Sequence, residues 1–138
     1  MRGILIRNRG SAVLINKENR KIGLIKRTRD GAVYYVFPGG GIAEGETPEE
    51  ATIREAYEEL GVIVAIRELI GIVEYNGKQY FYLAEMIAGE FGTGTGEEFT
   101  DQNRNRGTYE PVWVSIKECS SIDIRPREVI DIIRKRLL

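Results

Sequence analysis

Histidine is missing from all 138 residues, and cysteine occurs once, as Cys119. Without histidine there is no Ser-His-Asp or Cys-His catalysis, and the commonest ligand for zinc or copper is gone. One cysteine cannot close an intramolecular disulfide or build a cysteine-cluster zinc site. A reducing compartment fits, so a cytoplasmic setting is expected. Apolar runs are short: none approaches the about 18 residues that span a bilayer. The opening MRGILIRNRG holds only a brief apolar stretch between arginines, too short for the core of a secretion signal. Net charge is also nearly absent. Twenty Lys and Arg against 21 Asp and Glu leave −1, so no global field steers nucleic acid or an anionic membrane. Neither is an expected partner. A bound anion must instead be held by a metal or by a few placed basic side chains, and hard, oxygen-ligated metals remain open.

The chain is ordinary in the rest of its composition. At 42% hydrophobic and 30% charged it is rich enough in apolar residues to bury a core, and its length predicts one domain over 1–138. Ser11 to Asn16 and Ile22 to Lys26 are short, β-branched and apolar, with the polar KENRK between them, which predicts a hairpin. Asp30-Gly31 is a second turn signal, followed by a strand over Ala32 to Phe37. PGGG at Pro38 to Gly41 is expected to stop regular structure. Val62 to Tyr75 and Gln79 to Ala88 predict strands around Asn76-Gly77, and Tyr109 to Ile116 a last one. Val129, Ile130, Ile132, Ile133 and Leu137 recur at helical spacing, so the chain is expected to end in an amphipathic helix. Strands and helices mixed in this way predict an α/β domain, with helices covering a mixed sheet.

One segment carries the chemistry. Thr47-Pro48-Glu49-Glu50 is a helix start, with Thr47 able to cap, Pro48 at the first helical position and Glu50 completing a capping box. The helix is predicted to run to Leu60, with Gly61 as its stop. At about 100° per residue, Glu55, Glu58 and Glu59 share one sector, while Ile53, Ala56 and Leu60 form a separate apolar stripe that can face the sheet. Like charges at these spacings repel, and a divalent cation reverses the sign of that interaction. Mg²⁺ takes oxygen ligands and keeps waters, so a few carboxylates plus substrate phosphates suit it. On the helix alone, a solvated acidic face and a cation site are both open readings.

The flanking residues favour the second. Gly40, five residues, Glu46, seven residues, Arg54-Glu55-Ala56, one residue, Glu58-Glu59, one residue, Gly61-Val62 fills every fixed position of the Nudix box, preceded by Phe37-Pro38-Gly39. The chain thus resembles the Nudix hydrolases of the MutT-like kind. The box occupies residues 40–62, and the Trp113 strand after it is similar too.

The resemblance implies an α/β/α sandwich around a mixed β-sheet and a Mg²⁺- or Mn²⁺-dependent pyrophosphohydrolase. Its implied substrate is a nucleoside diphosphate linked to another group, first a nucleoside or deoxynucleoside triphosphate giving monophosphate and pyrophosphate. A dinucleoside polyphosphate or nucleotide sugar comes second, and a catalytically silent nucleotide-binding domain is a further reading. The partner is a small nucleotide, and a homodimer stays open. Glu55, Glu58 and Glu59 are implied as metal ligands, one of them also a general base, and Gly40 as a backbone carbonyl ligand. Glu46 and Arg54 are implied as the pair fixing the loop–helix geometry.

A later carboxylate often joins the site in this family. Glu110 is the first candidate, with Glu97 and Glu98 next; each is otherwise surface charge. Lys26 and Arg27, at a strand end, and the close-approaching backbone of Gly39 and Gly40 are candidate substrate contacts, with Arg104 and Arg106 behind them. Gly92 to Gly96 lacks the helix and Lys-Ser/Thr of a phosphate loop, and reads as a surface loop or flap. The paired aromatics Tyr34, Tyr35, Tyr80, Phe81 and Tyr82 and the lone Cys119 read as packing.

Overall fold

The computed structural model describes residues 7–94 and 107–137. Among these residues, eight strands and two helices follow in the order β1 (Arg9–Asn16), β2 (Lys21–Arg29), β3 (Ala32–Val36), β4 (Gly39–Gly41), α1 (Pro48–Leu60), β5 (Val62–Glu74), β6 (Lys78–Gly89), β7 (Thr108–Ser115), β8 (Ile124–Arg125) and α2 (Arg127–Leu137). A 3₁₀ turn, Ile116–Ser120, links β7 to β8.

Local chemistry explains the turns. Asn16 accepts the backbone N–H groups of Glu18 and Asn19 on its Oδ1, and so organises the first hairpin. Asp30 (φ 52°) and Gly31 (φ 80°) take the paired positive φ of a tight hairpin turn. Helix α1 begins with the full capping box between Thr47 and Glu50 and ends at Gly61 in the left-handed conformation.

The strands form one mixed sheet in the order β5-β6-β1-β2-β3-β8, with β7 added on β2 and β4 on β1. Strand β1 changes neighbours midway. Leu14 to Asn16 pair with β2, and Arg9 to Ser11 pair with β4. Alternation along β1 sends Val13 to one face and Ala12 and Leu14 to the other. Val13 joins Ile22, Leu24, Phe81, Val129, Ile130 and Ile133 beneath α2. Ala12 and Leu14 join Ile25, Ala56, Leu60 and Val64 beneath α1. These two apolar layers make the α/β/α sandwich.

Three expectations change. PGGG does not end regular structure: Gly39–Gly41 is a strand, buried throughout, because β1 offers it a ladder and side chains would not fit there. Strand β8 and the 3₁₀ turn carry no periodic signal and were not expected. The acidic and apolar sectors of α1 are not separate stripes: Glu55 and Glu59 are buried with Ala51, Thr52, Ala56 and Leu60, while Ile53 is only half-buried. No helix among the described residues is long and apolar enough to cross a membrane.

Candidate active site

The site forms where α1 passes under β4. The antiparallel ladder between β1 and β4 has hydrogen-bonded pairs at Ala12/Pro38 and Asn8/Ile42. Alternation then turns the peptide groups of Gly40 toward Gly10, and those of Gly39 and Gly41 toward the open edge. The contacts agree. Gly39 N donates to Glu59 Oε1 at 2.6 Å, Gly39 O accepts from Arg9 Nη2 at 3.3 Å, and Gly41 O accepts from Arg54 Nη2 at 3.0 Å. The outward carbonyl beside the carboxylates is therefore that of Gly39. The resemblance pointed to Gly40, whose carbonyl the ladder turns inward.

Gly40 has a different part. A Cβ built on it would lie 2.4 Å from the carboxyl carbon of Glu55. Only a glycine lets the Glu55 carboxylate press against the strand. Glu55 is 9% exposed and Glu59 6%, so two carboxylates from one turn of α1 are drawn under β4.

Arg54 holds the other end of the arrangement. It grips Glu46 bidentately, with Nε to Oε2 at 2.8 Å and Nη2 to Oε1 at 2.9 Å. Its Nη1 reaches Glu55 at 2.8 Å and Glu58 at 3.2 Å. This fork needs the planar guanidinium. Hydrogen bonds from Arg54 first, and then from the Ala43 N–H, lower the Glu46 carboxyl from 4.5 to about 2. The Arg54 pKa is raised, chiefly by its bond to Glu46. Glu46 and Arg54 thus tie the loop, the helix and β4 together.

Glu58 is not with its neighbours. It is 44% exposed in its side chain and rests on Arg54. Among the described residues no three acidic, cysteine or histidine side chains converge closely enough to hold a metal ion. Glu55 and Glu59 are brought together under β4; Glu58 stands one guanidinium away. Two carboxylates and a carbonyl, all hard oxygen donors, suit Mg²⁺ or Mn²⁺, which fill remaining positions with water and phosphate.

Other candidates fall elsewhere. Lys26 pairs with Tyr35 and Glu110 across the sheet. Counting from Ile25, which faces α1, places Lys26 and Glu110 on the α2 face with Leu24 and Val112, away from Glu55 and Glu59. Arg27 is on the α1 face but is enclosed by aromatics, 3.8 Å above the Tyr109 ring and 5.7 Å from Tyr34. Glu97, Glu98, Arg104 and Arg106 lie outside the described residues, as do Thr95 and Gly96. The start of their loop is docked, since Gly92 N and Thr93 N donate to Leu60 O at 2.8 and 3.2 Å. Cys119 is buried and packed, and burial raises its thiol pKa. Phe81 and Tyr82 are buried, as expected of packing.

Sequence reasoning missed a cleft of about 370 Å³ beside β1, lined by Arg7, Arg9, Ser11, Phe37, Phe81 and Arg125 among others. Its size is that of a small-ligand site. No periodicity marks it, because its walls come from β1, β3, β6 and β8.

A profile of the NUDIX domain matches residues 6–131. The chain belongs to the Nudix family. It is 37% identical over 84 residues to an 8-oxo-dGTP diphosphatase of Escherichia coli (strain K12), covering 56% of this chain and 65% of that protein. It is 34% identical over 101 residues to an ADP-ribose pyrophosphatase of Methanocaldococcus jannaschii, covering 65% of this chain and 59% of that one. In both cases the match spans less than two thirds of the curated relative. A NUDIX hydrolase structure from Nitrosomonas europaea superposes with a TM-score of 0.69 at 21% identity, covering 93% of this chain and 86% of that one. That likeness establishes the Nudix fold.

Proposed function

We propose that this Nudix protein is a divalent-metal-dependent pyrophosphohydrolase that cleaves a phosphoanhydride bond in a small nucleotide. The first substrate is a nucleoside or deoxynucleoside triphosphate, giving the monophosphate and pyrophosphate. The observation that carries the reading is the pair of buried carboxylates, Glu55 and Glu59, drawn against the all-glycine strand and the outward Gly39 carbonyl.

Glu55, Glu59 and the Gly39 carbonyl would hold the metal, with Glu58 joining them by turning from Arg54. When bound, Mg²⁺ or Mn²⁺ lowers the pKa of coordinated water and offsets charge on phosphoryl oxygens. The chain's own residues do the remaining work. A carboxylate oxygen of this group takes the proton of the attacking water. Water oxygen bonds to phosphorus as the bridging P–O bond breaks, and the electron pair leaves with the departing phosphate. Arg54 and Glu46 keep α1 in register with β4, so Glu55 and Glu59 meet the substrate without reorganising. Arg54 acts on carboxylates rather than on substrate.

The likeness to an ADP-ribose pyrophosphatase supports a second substrate class, a nucleoside diphosphate joined to a sugar. A panel of nucleotides with Mg²⁺ or Mn²⁺, read as monophosphate and pyrophosphate released, tests the reading. We expect metal-dependent release that Glu58→Gln and Glu59→Gln each lower by about a hundredfold or more. Unchanged turnover in both variants would remove the site assignment, and no metal-dependent release from any nucleotide would remove the activity.

A further inference from the structure

The last turn of α1 carries Glu58 and Glu59 and no basic residue. Two carboxylates there sit at the negative end of the helix dipole, beside carbonyls that the helix itself cannot satisfy. Such an end frays unless donors reach it from outside. Gly61 supplies the first, donating its N–H to Tyr57 O at 2.9 Å.

The segment just after β6 supplies more. It makes a tight turn over Glu90 to Thr93, where Thr93 N and Oγ1 both donate to Glu90 O, at 3.3 and 2.6 Å, and Gly92 has φ 97°. This turn lies on the end of α1. Gly92 N and Thr93 N donate to Leu60 O at 2.8 and 3.2 Å. Gly94 follows so closely that a Cβ on it would collide with the carbonyl oxygens of Glu58 and Glu59, and a Cβ on Gly61 would collide with Thr93 Oγ1. Glycine at both positions lets the two backbones meet. The turn is also pinned to the sheet. Phe91 stacks on Trp113 of β7, with centroids 4.5 Å apart. Trp113 pairs with Gly23 of β2, and Phe91 lies over that glycine, where no side chain intervenes. Glu55, one turn earlier on α1, is held differently, by Gly40 and Arg54.

We propose that Phe91, Gly92, Thr93 and Gly94 are positioning residues, a clasp that holds the last turn of α1 and so fixes where Glu58 and Glu59 stand relative to β4. They act through the helix and not on substrate. What the two carboxylates hold rests on the pyrophosphohydrolase reading, whereas the clasp itself is a property of the metal-free chain.

Four variants and two readouts test it. Gly94→Ala drives the turn off the helix end, and Phe91→Ala removes its anchor on the sheet. Phe91→Tyr keeps the ring, and Ile133→Val thins the core beneath α2 as a control for general stability. The first readout is amide hydrogen exchange of the metal-free protein. Gly94→Ala and Phe91→Ala are expected to lose protection at Glu58 to Gly61, while Thr52 to Glu55 keep theirs. The second is titration with Mn²⁺ alone, read by electron paramagnetic resonance of the free ion. The same two variants are expected to bind Mn²⁺ about tenfold more weakly, the scale for residues that orient metal ligands, while Phe91→Tyr and Ile133→Val bind it as wild type does. Lost protection with wild-type Mn²⁺ affinity, or protection kept in both variants, overturns the clasp and leaves the hydrolase reading standing. Equal weakening in Ile133→Val overturns it as well. A wild type that binds no Mn²⁺ removes the metal site itself, and the positioning role with it.

Discussion

Gly40 and Glu55 touch so closely that no side chain fits between them. A Cβ on Gly40 would stand 2.5 and 2.7 Å from the two carboxylate oxygens. Gly40→Ala must therefore push Glu55 away or lift β4 off α1. Overpacking of this kind costs about 1–3 kcal/mol. The expected result is a lower melting temperature and turnover reduced by about a hundredfold, because a small displacement of a positioned group is enough for that. Gly40→Ala with wild-type melting and turnover would show that the contact has no consequence.

Arg54→Lys keeps the charge and loses the fork. Lysine cannot hold both Glu46 oxygens, the Gly41 carbonyl and the Glu55 and Glu58 carboxylates together. We expect activity to fall about 10–100-fold, as for residues that orient metal ligands. Metal titrated against activity should show weaker binding, while the KM for substrate changes little. A change confined to KM would place Arg54 on the substrate instead.

Glu46 makes stability depend on acid. Its pKa is 4.5 as an ordinary carboxyl and about 2 in the fold. A lowered folded pKa means the stabilisation is complete above pH 4.5 and is lost as pH falls through about 2. Urea midpoints of wild type and Glu46→Gln should therefore differ most near neutrality and converge between pH 4.5 and 2. Parallel curves over that range would contradict the assignment.

Tyr82 works in the opposite direction. Burial first, and then the nearby Glu49 carboxylate, push its hydroxyl from 10 to about 12. The neutral form is the one the fold favours, so its contribution is full below pH 10 and fades as pH rises toward 12. Absorbance titration should show a late tyrosine step that Tyr82→Phe removes.

Glu110 is expected to be dispensable for metal. It faces the α2 side with Lys26, whereas Glu55 and Glu59 lie under β4 on the α1 side. Glu110→Gln should keep metal-dependent turnover within about twofold, since surface substitutions usually change little. A large rise in the metal concentration needed for half-activity would restore it as a ligand.

Helix α1 and its cap were legible from the residues because their causes are local. Thr47, Pro48, Glu50 and Gly61 act within a turn or two of chain, and the box spacing runs along the same helix. Strand β4 was not legible. A run of glycines reads as a breaker until β1 supplies a ladder and Glu55 and Arg7 occupy the space their side chains would need. The Gly39 carbonyl followed from hydrogen-bond parity with β1, which depends on a register set some 30 residues away in the chain.

By itself, then, the order of residues determined which side chains α1 presents in one sector and where that helix starts and stops. Periodicity and capping act over a few residues, so they survive without any knowledge of the rest of the chain. Folding decided that Glu55 and Glu59 are buried, that Glu58 rests on Arg54, that Glu110 faces away, and that Arg7 and Arg9 border a cleft. Each of these depends on strand pairing between distant segments, where a shift of one residue turns every side chain to the opposite face.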